Sequence, residues 1–195
     1  ASRVDLSFRT PDDTPRRIKR LSLLPRDAGT NPNAEAKIIA SISPRGWYPR
    51  QFLGEQMTWA PVGNMGEEYE ALLGSDGQVE LCAGGPTIEP FVRMSVDDNA
   101  IDETLLSWSD LSATAMLQED RLPMPACELS SLAGIAIKVE PIALSQGEGE
   151  RRIAVKYTVR NTGSKRKTGT LVLALRPFQV LPHWHTLNLV GGVSR

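Results

Sequence analysis

The chain has 195 residues, 41% of them hydrophobic and 23% charged, the balance of an ordinary soluble globular protein able to bury a substantial core. Its net charge of -1 offers no general attraction to nucleic acid or anionic membrane, so neither is an expected partner. No apolar run approaches the roughly 20 residues needed to cross a bilayer, and the first residues lack a charged-then-apolar secretory pattern.

From the start of the chain, Val4-Asp5-Leu6-Ser7-Phe8 reads as a strand, and Ile18, Leu21, Leu23 and Leu24 between Pro15 and Pro25 predict a second short one. Arg26 to Asn33, rich in Asp, Gly, Asn and Pro, predicts a linker and a domain boundary near residue 30. The chain begins at Ala1 without Met and ends in Gly191-Gly192-Val193-Ser194-Arg195, which looks like a connection, so we expect a piece of a longer protein. Ala34 to Ser41 suits two helical turns, although Ile38, Ile39 and Ile42 suit a strand equally well.

The segment from Arg45 to Trp59 is the densest in chemistry. Trp47, Tyr48 and Trp59 offer aromatic faces for sugar rings, while Arg50, Glu55 and Gln56 offer hydrogen bonds to hydroxyl groups. The plainer reading is that the tryptophans anchor a core and Glu55 pairs with an arginine. Beyond Leu72 the turn signals Ser75-Asp76-Gly77, Gly84-Gly85-Pro86 and Asp97-Asp98-Asn99 punctuate short apolar runs, the rhythm of antiparallel β-structure. Leu105 to Thr114, Ala115 to Leu122 and Ile135 to Ile142 continue it, with Pro123, Pro125 and Pro141 expected at strand ends or edges.

Ile153, Val155, Tyr157 and Val159 alternate with outward residues, Asn161-Thr162-Gly163-Ser164 forms a turn, and Leu171 to Leu175 is apolar throughout. This pattern predicts a β-hairpin whose second strand is covered on both faces. The fold class is therefore all-β, a large antiparallel β-sandwich. Cys82 and Cys127 fit either one disulfide or two buried thiols, which leaves the compartment open, an extracytoplasmic or secreted setting being one expectation.

Sequence spacing assigns no catalytic residue, metal site or cofactor. Glu55, Glu89 and Asp110 lie near aromatic or Pro-Phe motifs, but nothing in their spacing forms the facing carboxyl pair of a glycosidase. His183 and His185 share a face if extended, yet zinc needs a third ligand; Trp184 between them adds a further aromatic candidate. There is no Gly-x-Ser-x-Gly elbow and no phosphate loop.

Pro44-Arg45-Gly46-Trp47-Tyr48-Pro49-Arg50-Gln51-Phe52-Leu53-Gly54-Glu55-Gln56 with Trp59, Ile88-Glu89-Pro90-Phe91, Thr104 to Asp110, and Val159-Arg160-Asn161-Thr162-Gly163 through Arg176-Pro177-Phe178-Gln179-Val180 carry a resemblance. Over residues 31–195 the chain resembles the β-supersandwich region of bacterial proteins with coagulation factor five/eight type C (discoidin) domains and a helical domain like the six-hairpin glycosidases. The resemblance implies a galactose-mutarotase-like supersandwich. It also implies that residues 1–30 are an N-terminal extension or the last strands of a discoidin-like module. Leu181-Pro182-His183 departs from the Asn-Pro-Pro expected there, so no ligand role is carried over to that loop.

The function so implied is that of a noncatalytic domain of a larger carbohydrate-processing, glycoside hydrolase-like protein, packing on a C-terminal helical catalytic domain. The alternative is an independent carbohydrate-binding module. Carbohydrate is the expected ligand class, with Trp47, Tyr48, Arg50, Glu55, Gln56, Trp59 and Trp184 as candidates.

Overall fold

Asn31 and Pro32 decide how the main domain begins. The Asn31 side chain accepts the Asn33 amide at 3.0 Å, and proline stands in the first turn, where its missing N–H costs nothing, so helix α1 (Pro32–Ile42) forms despite its isoleucines. The computed structural model describes residues 31–64, 71–95, 103–118, 124–145, 151–185 and 191–194. The strands expected at 4–8 and 16–24, most of the expected linker and the turn at 97–99 lie outside the described residues. Ala36 and Ala40 pack on Phe52 and Phe178, while Ile38, Ile39 and Ile42 face outward.

After α1 the chain is mostly strand. One antiparallel sheet orders β1 (Trp59–Val62), β2 (Ala71–Gly74), β3 (Val79–Glu80), β4 (Thr87–Ser95) and β10 (Gly169–Arg176). The short β5 (Glu103–Leu106) pairs with the part of β4 that β3 leaves uncovered. The other sheet runs β6 (Ser112–Leu117), β7 (Pro125–Ser131), β8 (Ile135–Ser145) and β9 (Arg151–Asn161). Val62, Leu73, Val79, Val92 and Leu106 of the first sheet meet Cys127, Leu129, Ile135, Ile137 and Val139 of the second in one core. The architecture is an all-β sandwich, as the turn rhythm predicts.

The expected hairpin does not form. The alternation from Ile153 to Val159 belongs to β9, but its partner is β8, with Tyr157 opposite Val139 and Val159 opposite Ile137. β10 pairs instead with β4, Leu171 opposite Val92 and Leu175 opposite Ile88. The Asn161 to Thr168 connection therefore crosses between sheets, its tip held by Asn161, which donates to the Lys165 carbonyl and accepts the Gly163 amide. Nor is β10 covered on both faces: only Leu171 packs on the core, while Leu173 and Leu175 are 48% and 68% exposed. Both errors have one cause. A strand's own sequence reports the apolarity of its two faces but says nothing of which neighbour hydrogen-bonds to it.

Pro141, expected at a strand end or edge, lies inside β8 opposite Val155. Pairing with β7 stops at Val139, so among the described residues β8 has a strand partner on one side only beyond that point, and a residue without N–H is tolerated. Cys82 and Cys127 are both thiols, the first exposed and the second buried, where burial, assisted by the charge of Asp76, pushes the Cys127 thiol up to about 12.

The segment after β10 is tied to the helical start of the domain by polar contacts with buried side chains. Gln51, in the 3-10 turn Arg50–Leu53, donates its side-chain amide to the Gln179 carbonyl at 2.8 Å. Asn33 donates to the Gly191 carbonyl at 3.0 Å and accepts the Val193 amide at 2.7 Å. The fully buried Glu80 accepts the amides of Gly84 at 2.8 Å and Val180 at 2.6 Å; burial pushes its carboxyl above the ordinary range, and these donors offset part of that shift.

Candidate saccharide cleft

The loop from Pro44 to Thr58 is built around Trp108. Its indole N–H donates to the Tyr48 carbonyl at 2.9 Å, and the guanidinium groups of Arg45 and Arg50 lie 4.8 and 4.6 Å from its ring centre. Gly46 adopts φ 91° where the loop approaches Ser107, a conformation and a closeness that a side chain would not permit. Glu55 accepts both prongs of Arg45, at 2.5 and 2.9 Å, and these bonds hold its carboxyl below the usual carboxylate range.

Arg50 points the other way. Its Nε and Nη2 each lie 2.6 Å from an oxygen of Asp76, which comes from the turn between β2 and β3 and is almost wholly buried. Bidentate geometry fixes the guanidinium plane, while Nη1 stands 3.8 Å from Glu55. A second pair lies deeper: Arg176 Nη1 donates to Glu89 Oε2 at 2.6 Å, and the same guanidinium reaches the Trp47 carbonyl and lies over the Phe178 ring at 4.9 Å. Burial drives the Glu89 carboxyl upward against the pull of Arg176.

Pro182 and Trp184, from the segment after β10, supply a further part of the wall, and His183 and His185 pack beside them. Trp59 meets the His185 ring edge-on at 5.2 Å, His183 stacks on Phe52 at 6.1 Å, and Trp184 stands edge-on to His183 at 4.7 Å. Burial, with the charge of Lys37 as a smaller cause, lowers the His183 pKa below its ordinary value. Among the described residues there is no group of three or more His, Cys, Asp or Glu suited to a metal ion.

Between these walls lies a cleft of about 660 Å³ lined by Arg50, Gln56, Thr58, Trp59, Ser75, Asp76, Ser112 and Trp184, among others. Arg50, Gln56, Trp59 and Trp184, singled out above, thus come together around one space. The remaining candidates do not join them. Trp47 is exposed but outside the lining, Tyr48 packs against Phe178 at 5.5 Å, and Glu55 is occupied by Arg45. Asp76, Ser75 and Ser112 were not foreseen; Asp76 carries only the signature of a turn, and its meeting with Arg50 crosses sequence too distant for any local pattern.

The cleft can bind and orient a neutral polar molecule. Two indoles supply apolar faces, and the arginine charge is balanced by Asp76, leaving hydroxyl, amide and guanidinium groups to contact hydroxyls. Among the described residues no helix is long and apolar enough to cross a membrane. No protein-family model, curated protein or solved structure matches this chain.

Proposed function

We propose that this β-sandwich is a noncatalytic, saccharide-binding domain of a larger carbohydrate-processing, glycoside hydrolase-like protein. The observation that carries the proposal is the convergence of Trp59, Trp184, Arg50 and Gln56 on one open cleft. Binding without cleavage agrees with the state of the nearby acids. A glycosidase general acid needs a raised pKa and a second carboxyl group facing it, whereas the Arg45 hydrogen bonds lower the Glu55 pKa and Asp76 is closed off by Arg50. The supersandwich form implied by the sequence resemblance belongs to the same reading.

Titration of the chain with maltoheptaose, cellohexaose and xylohexaose, followed by calorimetry and tryptophan fluorescence, tests the proposal. At least one should bind, and Trp184→Ala and Trp59→Ala should each weaken it by roughly tenfold, the upper part of what a single aromatic contact contributes. Heat and fluorescence unchanged by all three sugars would refute the proposal.

A second reading, that the sandwich packs on a helical catalytic domain, is favoured by the exposed Leu173 and Leu175 on β10 and by Ile38, Ile39 and Ile42 on α1. It predicts slower amide exchange at these positions in the two-domain protein than in this chain alone. Equal exchange rates would dismiss that packing.

A further inference from the structure

Beside the saccharide cleft lies a second cavity of about 420 Å³, and Thr58, Trp59 and Ser75 line both. It occupies the side of the sandwich where the edge strands β1 and β6 face one another. Its remaining walls are of a different chemistry: Leu73 of β2, Met116 and Leu117 of β6, and Pro125 and Ala126 of β7 are apolar, and beyond the shared border the Cys127 thiol is a weakly polar side chain in the lining. The hydroxyls of Thr58 and Ser75 stand only at the border shared with the cleft.

We propose that the two cavities take one amphiphilic ligand, a glycoside whose sugar lies between Trp59 and Trp184 and whose apolar aglycone enters the second cavity. The inference rests on the saccharide reading of the cleft and adds the class of glycoside to it. Three features select this occupant. The two spaces adjoin at Thr58, Trp59 and Ser75, so a single molecule need cross only that border to occupy both, and each is within the range of about 300–1,000 Å³ typical of ligand sites. The largely apolar inner walls would offer a polar aglycone few partners, at the cost of its lost hydration. Met116, unbranched and adaptable, and the short side chains of Ala115 and Ala126 leave room for a chain of variable shape.

The test compares maltose, glucose and galactose with their methyl, butyl, hexyl and octyl β-glycosides, below micelle-forming concentrations, by calorimetry on the full chain. Affinity should rise by about fourfold for each added methylene until the cavity is full, then level off. Ala115→Trp, at an exposed position on β6 beside the cavity, should abolish the rise while leaving the methyl glycosides bound as before. Met116→Gln should blunt it without a large change of volume. Methyl glycosides that bind with no gain from longer chains, or a gain that survives both variants, would overturn the aglycone pocket and leave the saccharide cleft standing. Hexanol binding as tightly as the hexyl glycosides would overturn it as well. If no sugar or glycoside binds, the saccharide reading falls and this inference falls with it.

Discussion

Replacing Glu89 by alanine is expected to lower the unfolding free energy by about 3–5 kcal/mol, the usual cost of removing one member of a buried ion pair. Glu89 is 3% exposed and receives Arg176 Nη1 at 2.6 Å. Arg176 is itself set among Tyr48, Phe91 and Phe178, so without Glu89 its charge remains in a largely apolar surrounding beside the Trp47 carbonyl. The loss should spread, because Trp47 and Phe178 belong to the two segments that also carry the cleft residues Arg50 and Trp184. Urea unfolding of wild type and variant checks the magnitude, and a loss below about 1 kcal/mol, the level of an exposed pair, would show the pair to be dispensable.

Glu89→Gln separates charge from shape. Burial raises the Glu89 carboxyl above its ordinary value of 4.5, so its folded form holds a proton more tightly than its unfolded form. Stability from that difference is fully present below the unfolded value and is lost as pH rises through the folded one. The difference in stability, wild type minus Glu89→Gln, should therefore fall as pH rises above 4.5. A difference that does not change with pH would contradict the raised carboxyl.

The second large effect is expected from Gly192→Ala. Gly192 has φ +100°, and a β-carbon there would lie 2.1 Å from Asn33 Oδ1 and 2.9 Å from the β-carbon of His183. Left-handed backbone costs an ordinary residue about 1–2 kcal/mol, and overpacking adds about 1–3 kcal/mol, so a loss of about 2–5 kcal/mol is expected. Asn33 is the clasp that holds Gly191 and Val193 against α1, and His183 adjoins Trp184 at the cleft. Any saccharide affinity of the proposed site should therefore fall together with stability. Gly54→Ala is the control: its φ of +80° imposes comparable backbone strain, but nothing lies within 4 Å of the added carbon. It should lose only about 1–2 kcal/mol. Equal losses in the two variants would show that the clasp at Asn33 contributes nothing beyond backbone strain.

Much of the sandwich is legible in local patterns. Ser75-Asp76-Gly77 and Gly84-Gly85-Pro86 mark the two turns that bring β2, β3 and β4 together, and the alternation from Ile153 to Val159 marks β9. Asn31-Pro32 contains the signal that starts α1, although Ile38, Ile39 and Ile42 obscure it. The aromatic and polar residues around Trp59 likewise announce a surface with binding chemistry. In each case the controlling interaction lies within a few residues along the chain, where period, turn geometry and capping act.

Strand partners and the composition of the cleft are not local in this sense. Which strand β10 adjoins depends on the edge that β4 presents, and the pairing of Arg50 with Asp76 depends on the β2–β3 turn being carried up to the Pro44 to Thr58 loop. Trp184 joins Arg50 in one lining because Gln51, Glu80 and Asn33 bind the backbone that follows β10. The amino-acid order alone thus specified strands, turns, a helix start and a set of aromatic and polar residues. Only tertiary packing chose their partners and selected Arg50, Gln56, Trp59 and Trp184 from that set, because hydrogen bonds and burial between distant segments depend on how the sheets are assembled.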